Sequence, residues 1–150
     1  MLEPENQDRV RLRWRQVGSD ATFAAHQMSD GTLRFVCLAT LLLQPELPAL
    51  VVLDEPELGL HPYAIVQLAG LLRRASSRSQ VMVATQSVTL MNQFALVDLI
   101  VVERGDEGST FVRPDPSQLT AWLDEYSLGE LWEKNVLGGR PGRAGHSGPV

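Results

Sequence analysis

The chain has 150 residues, 44% of them hydrophobic, and a formal net charge of -5. It has room for one domain with a real core rather than two, and its acidic balance argues against binding nucleic acid by bulk charge. No apolar run approaches the roughly 18 residues of a membrane span. The acidic amino end, Met1-Leu-Glu-Pro-Glu-Asn-Gln-Asp8, lacks the basic-then-apolar layout of a secretion signal. A soluble cytoplasmic protein is the expectation, with Cys37, alone in an apolar run, as a reduced core residue.

Residues 1–9 read as a polar amino end. From Val10 to Arg15 apolar and basic residues alternate, the pattern of a half-buried strand with Arg11, Arg13 and Arg15 on its solvated face. Gly18-Ser-Asp20 reads as a turn and residues 21–25 as a short return strand. Ser29-Asp-Gly31 offers N-cap chemistry before a helix over residues 33–43, apolar nearly all round and so expected to be buried. Pro45 and Pro48 end it. Residues 49–53 form a continuous apolar run, the kind of strand found in a parallel sheet covered on both faces.

Pro62 suits the first turn of the next helix. There Ala64, Ile65, Leu68, Leu71 and Leu72 make an apolar stripe, and Arg73, Arg74 and Arg78 crowd the carboxyl end, where the dipole favours cations. Residues 80–85 read as a second buried strand and residues 88–94 as a short helix. Residues 97–103 and 109–113 flank Gly105-Asp-Glu-Gly108 and read as a hairpin. A helix is expected over 117–126, then a short one opened by the capping box Ser127/Glu130. Residues 138–150 are rich in Gly, Pro and Arg and read as a disordered tail. Strand, helix, strand, helix, strand implies a layered α/β domain with parallel strands, whose ligands sit beyond the strands' carboxyl ends.

Three places carry chemistry. Asp54 and Glu55 follow an apolar strand, so one carboxylate can hold a metal ion while its neighbour orients and deprotonates water. The plain alternative is an acidic pair capping the next turn. Ser29, Asp30 and Gly31 at a helix start offer a hydroxyl, backbone N–H groups and the positive end of the dipole to an anion, or serve as an ordinary cap. Gln86 beyond the second strand can hydrogen-bond a phosphate or a water, or simply occupy a turn. The only lysine, Lys134, sits in Trp132-Glu-Lys-Asn-Val136, so the sequence contains no Gly-x-x-x-x-Gly-Lys-[Ser/Thr] phosphate loop.

Met28-Ser-Asp-Gly-Thr32, the segment from Leu50 to Glu55, Glu57-Leu-Gly-Leu-His-Pro62 and Ala84-Thr-Gln-Ser87 stand in that order. Together they resemble the ABC-type ATPases, nearest to the RecF-like and OLD-type group with AAA domains. The resemblance covers roughly residues 10–140 and implies the carboxyl-terminal half of a P-loop NTPase-type three-layer sandwich over residues 10–137, using ATP and Mg2+. By it, Ser29 and Gly31, with Asp30 between them, fall in the signature loop that contacts nucleotide held by the opposite subunit. Asp54 matches the Walker B aspartate, Glu55 the catalytic glutamate, and Gln86 the switch position. Leu58, Gly59, Leu60 and His61 match the loop that passes between two subunits. His61 reads as part of the turn before a helix rather than as a base.

The pattern departs from the family at several points. Asp30 and Thr32 replace the usual glycine and glutamine of transporters, and Gln86 replaces the more usual histidine, which points to slow or differently gated hydrolysis. The family's P-loop strand, normally between those matching residues 80–85 and 97–103, has no counterpart, which would leave two strand edges unpaired. The resemblance therefore implies a P-loop-bearing segment or homologous subunit as partner, with DNA reached only through the assembled complex and no membrane role. Two rivals remain: a non-catalytic module that dimerises with or regulates a complete homologue, and a metal-dependent nuclease. For the nuclease, Glu103, Asp106 and Glu107 faintly resemble the start of a Toprim domain, but Arg104 stands at the glycine position and no Asp-x-Asp follows.

Overall fold

The structure, a computed structural model, describes residues 2–6, 9–15, 17–105 and 108–139. The expected hairpin-tip acids Asp106 and Glu107, and the tail from residue 140 onward, lie outside the described residues. The chain divides between Val83 and Ala84 into two compact units.

In the first unit the alternating segment forms β2 (Arg9–Arg15), which pairs antiparallel with β3 (Thr22–Ala24) and also with β1 (Leu2–Asn6). Sequence reading places no strand at β1, because Pro4 and the acids around it carry no period-2 signal. Its pairing comes from the main chain of β2, in a register that sets Glu3 opposite Arg11 and shifts between Pro4 and Asn6.

The helix α1 (Asp30–Leu42) starts at Ser29, whose hydroxyl accepts the Thr32 N–H. It is less buried than its composition suggests: Leu42 is its buried residue, and Cys37 is a free, exposed thiol rather than a core residue. The reason is geometric, since α1 packs on one side against α2 (Pro62–Ser76) and its other faces are at best half-covered among the described residues. Along α2, Ile65, Leu68, Ala69, Leu72 and Ala75 recur at helical spacing and are buried. With Leu42 and Val51 they make the first unit's core. Each fully buried leucine here contributes about 2 kcal/mol of transfer free energy.

Arg78 departs from its expected place at the dipole of α2. Its guanidinium donates from Nη1 to the carbonyls of Gln44 (2.8 Å) and Pro45 (3.3 Å), and from Nη2 to Leu42 (3.1 Å). It thus satisfies carbonyls at the carboxyl end of α1 that have no intrahelical partner.

β4 (Leu50–Asp54) pairs with β5 (Gln80–Ala84) in a two-stranded sheet. The Gln80 N–H donates to the Ala49 carbonyl (3.0 Å), so both strands start at the same end and run the same way. Burial on both faces, the expectation for an apolar parallel strand, is not what the sheet shows. Val51 is buried on one face, while Val52 is 62% exposed and Leu50 and Met82 are exposed on the other. Among the described residues only one face of this pair is closed.

The second unit holds α3 (Val88–Met91), the hairpin β6 (Val101–Gly105) and β7 (Gly108–Val112), α4 (Pro116–Leu123) and α5 (Leu128–Glu133). β6 begins later than the apolar run suggests. Leu96–Asp98 is instead a 3-10 turn, with the Asp98 carboxylate accepting the Ala95 N–H (3.1 Å). Leu90 and Leu131 are fully buried, and Met91, Leu96 and Leu128 cluster with Leu99, Leu119, Trp132 and Leu137. The Asn92 side chain accepts the Gly129 N–H (2.7 Å), tying α3 to α5. The Ser127/Glu130 capping box forms as the spacing predicts. The Ser127 backbone N–H and then its hydroxyl hold the Glu130 carboxyl below its ordinary range, and the Ser117 hydroxyl and N–H do the same for Asp115.

Candidate functional site

The site grows from the carboxyl end of β4. Asp54 is that strand's last residue and is exposed; Glu55 follows it, half-buried, at a backbone φ of +41°. A side chain in this left-handed region costs about 1–2 kcal/mol relative to glycine, and strained positions of this kind cluster where function holds them. The chain then makes two consecutive turns, with the Leu58 N–H donating to the Glu55 carbonyl (3.1 Å) and the Leu60 N–H to the Glu57 carbonyl (2.9 Å). Gly59 takes the left-handed position (φ +79°) that the second turn needs. Glu57 is the buried charged side chain of this loop, 8% exposed.

Leu58, Gly59 and His61 are exposed and Leu60 half-buried. His61 ends the loop as the N-cap of α2, its Nδ1 accepting the Tyr63 N–H (3.2 Å), with Pro62 as the first helical residue. Its ring is engaged in the turn, as its position before Pro62 suggests.

Ser29, Asp30 and Gly31 lie against this loop. The Ser29 hydroxyl caps α1 and also shares a 2.8 Å hydrogen bond with the Thr32 hydroxyl. Asp30 is an exposed acid in the first turn, where the dipole favours it. Gly31 presses against the Gly59 carbonyl so closely that an added Cβ would overlap its oxygen and come within 3.2 Å of its carbon. The start of α1 and the loop after Asp54 and Glu55 are therefore one packed feature.

Gln86 belongs to the second unit. It is exposed, two residues beyond β5, where the Thr85 hydroxyl accepts the Ser87 N–H (2.9 Å) and Ser87 caps α3. Glu103 is taken up locally, its carboxylate accepting the Gly139 N–H (3.2 Å).

Three features escape sequence reading: the left-handed Glu55, the burial of Glu57 and the Ser29–Thr32 pairing. Glutamate carries no signal for positive φ. Burial of Glu57 leaves no mark on periodicity. The Thr32 partnership was legible in principle as Ser-x-x-Thr at a helix start.

Among the described residues no group of three or more His, Cys, Asp and Glu side chains gathers to hold a metal ion, so a cation here would rest on few protein ligands, as one of the Mg2+ kind can. Such an ion takes one or two carboxylates and completes its shell with water and phosphate oxygens, and Asp54 presents one exposed carboxylate at a strand end. No described helix is long and apolar enough to cross a membrane.

Solved structures share this architecture. One is a chain from work on ATP-driven dimerization and DNA-stimulated activation of SMC ATPases, 22% identical, with a TM-score of 0.63 over 83% of this chain and 78% of that one. Another is an SmcHead bound to the C-winged helix domain of ScpA, 20% identical, with a TM-score of 0.61 over 80% of this chain and 38% of that one. The fold is thus a mixed α/β fold of the P-loop NTPase kind found in SMC ATPase heads. Over residues 2–92 the chain matches the family described as "AAA domain, putative AbiEii toxin, Type IV TA system", and it belongs to that family. No curated protein matches it.

Proposed function

We propose that this chain is the signature and Walker B half of an ABC-type ATPase of the RecF-like and OLD-type group. It binds and hydrolyses ATP with Mg2+ together with a P-loop-bearing segment or a homologous subunit. The observation that carries this reading is the packing of Gly31 on Gly59, which joins a helix N-terminus suited to phosphate to the loop that follows Asp54 and Glu55. The left-handed backbone at Glu55 supports it, since strain there is maintained for a side chain that glycine could not supply.

The roles divide as follows. Bound Mg2+ would neutralise charge on the phosphates. Asp54 would help hold that ion, and Glu55 orients and deprotonates the attacking water. Ser29 and the first N–H groups of α1, with Asp30 and Gly31 shaping the turn, meet nucleotide presented by the opposite subunit. Leu58 to His61 form the surface between subunits, and Gln86 positions water or the terminal phosphate. Residues 10–137 make up this ATPase subdomain.

The open apolar face of β4 and β5, with Leu50, Val52 and Met82 exposed, supports the need for a partner. A parallel sheet normally has both faces covered, and a P-loop-bearing segment is the cover this reading assigns. Lys134 lacks the glycine loop of a P-loop lysine around it in sequence, and it sits at the C-cap of α5 with its ammonium 4.9 Å from the Tyr126 ring centroid. DNA, which stimulates the SMC ATPases of the solved relative, would act on the assembled complex rather than on this acidic chain.

ATP turnover of the chain alone and co-produced with a segment or homologous subunit carrying Gly-x-x-x-x-Gly-Lys-[Ser/Thr] tests the reading. Turnover only in the pair is expected. An inactive, well-folded pair would favour the non-catalytic regulatory module instead.

A further inference from the structure

Beside the start of α1 lies a groove that the ATPase reading leaves unused. Trp14 and Phe23 stand directly opposite each other on β2 and β3 and so share one face of that sheet. With Gln27, Met28 and Thr32 they line an open surface groove of about 210 Å³. Trp14 keeps 43% of its surface exposed, in a groove whose walls are part apolar (Phe23, Met28) and part polar (Gln27, Thr32). The volume is below the roughly 300 Å³ at which pockets hold whole drug-sized ligands, so the groove suits a flat ring system of base size rather than a peptide segment or an intact nucleotide.

The groove adjoins the phosphate-suited helix end directly. Thr32 lines it, and the Thr32 hydroxyl is 2.8 Å from that of Ser29. Gln27 is fixed by its Oε1, which accepts the Ala24 N–H (2.9 Å), leaving two amide N–H donors for an acceptor on a ring edge. An exposed indole face, a sulfur-bearing wall and an oriented amide next to a helix N-terminus match the base end of a nucleotide whose phosphates lie at that terminus.

We infer that the Trp14–Phe23 groove takes the purine base of a nucleotide, stacked on Trp14 and read at its edge by Gln27. A purine is favoured over a pyrimidine because its two rings cover more of the indole. The placement of the phosphates rests on the ATPase reading; the base site itself does not.

The test uses adenosine and inorganic tripolyphosphate as separate probes, read from the side-chain indole resonances of Trp14, Trp122 and Trp132, with Trp14 assigned from Trp14→Phe. Adenosine at millimolar concentration should move the Trp14 signal and leave the other two in place, and tripolyphosphate should leave Trp14 unmoved. Read from line broadening of the adenosine H8 signal, since the variant lacks the reporting indole, Trp14→Ala should weaken adenosine about 5- to 150-fold, the span given by one stacked base. Gln27→Ala, which leaves the aromatic pair intact, should weaken it by a smaller factor. The inference fails if adenosine moves no indole or all three alike. It fails equally if folded Gln27→Ala and Trp14→Ala bind adenosine as the parent does. An assembly that does not hydrolyse ATP while Trp14 still reports adenosine would sink the ATPase reading and spare this one.

Discussion

Replacing Gly31 with alanine tests whether the start of α1 and the loop after Glu55 are one packed feature. An alanine in a helix ordinarily gains about 0.5–1 kcal/mol over glycine. At Gly31 the new methyl would overlap the Gly59 carbonyl oxygen, with the Gly59 carbonyl carbon at 3.2 Å and the Leu60 Cα at 3.8 Å. All three are backbone atoms, so no flexible side chain can give way. Overpacking of this sort costs about 1–3 kcal/mol, and with rigid backbone at all three contacts the middle of that range applies, which outweighs the helical gain and leaves a net loss of about 1–2 kcal/mol. In a chain of this length that lowers the melting temperature by about 2–8 °C. Gly70 in α2 is the control, because a methyl there meets nothing within 4 Å, and Gly70→Ala should raise the melting temperature by about 1–4 °C. Calorimetry on the two variants decides it. If Gly31→Ala proved as stable as Gly70→Ala, the contact between the two loops would not exist in solution.

Glu55→Gly should be more stable than Glu55→Ala by about 1–2 kcal/mol, because only glycine is free of strain at φ +41°; equal urea midpoints would show that the left-handed backbone is not held. Arg78→Met keeps the aliphatic stem but leaves the Leu42, Gln44 and Pro45 carbonyls unserved; a loss of about 1 kcal/mol is expected for this exposed, charge-assisted group, and no change in thermal unfolding would mean water serves them as well. For Glu130 the folded carboxyl titrates below its ordinary range because of the Ser127 donors. Its stabilisation is therefore fully present above the ordinary carboxylate value and lost as pH falls through the lower folded value. The melting gap between the parent chain and Glu130→Ala should accordingly close on acidification, and a gap that widens instead would reverse the assigned sign.

Much of the order of elements was legible because it rests on local rules. Ser29, Pro62 and the Ser127/Glu130 pair announce helix starts by chemistry confined to one turn, and the structure forms a helix at each. Coverage was far less legible. An apolar run such as residues 49–53 says that a strand can be buried on both sides, and only the assembled sheet reveals that Val51 is covered while Leu50 and Val52 are not. The same limit applies to Cys37, where composition implied a core and packing on a single side left the thiol exposed. β1 formed through main-chain pairing with β2, which side-chain patterning does not encode. At the site, the residue types at Asp54, Glu55 and Ser29 could be picked out from sequence, whereas the φ of Glu55 and the Gly31–Gly59 approach depend on tertiary fit.

The measurement closest to the central claim is steady-state ATP hydrolysis by the assembled protein carrying Glu55→Gln. The substitution preserves size and shape but replaces one acceptor oxygen with an amide donor and removes the base. Turnover should fall about 10²- to 10⁴-fold, the range for loss of a general base, with nucleotide still bound. Turnover equal to that of the parent assembly would contradict the assignment of Glu55 and, with it, this account of the site.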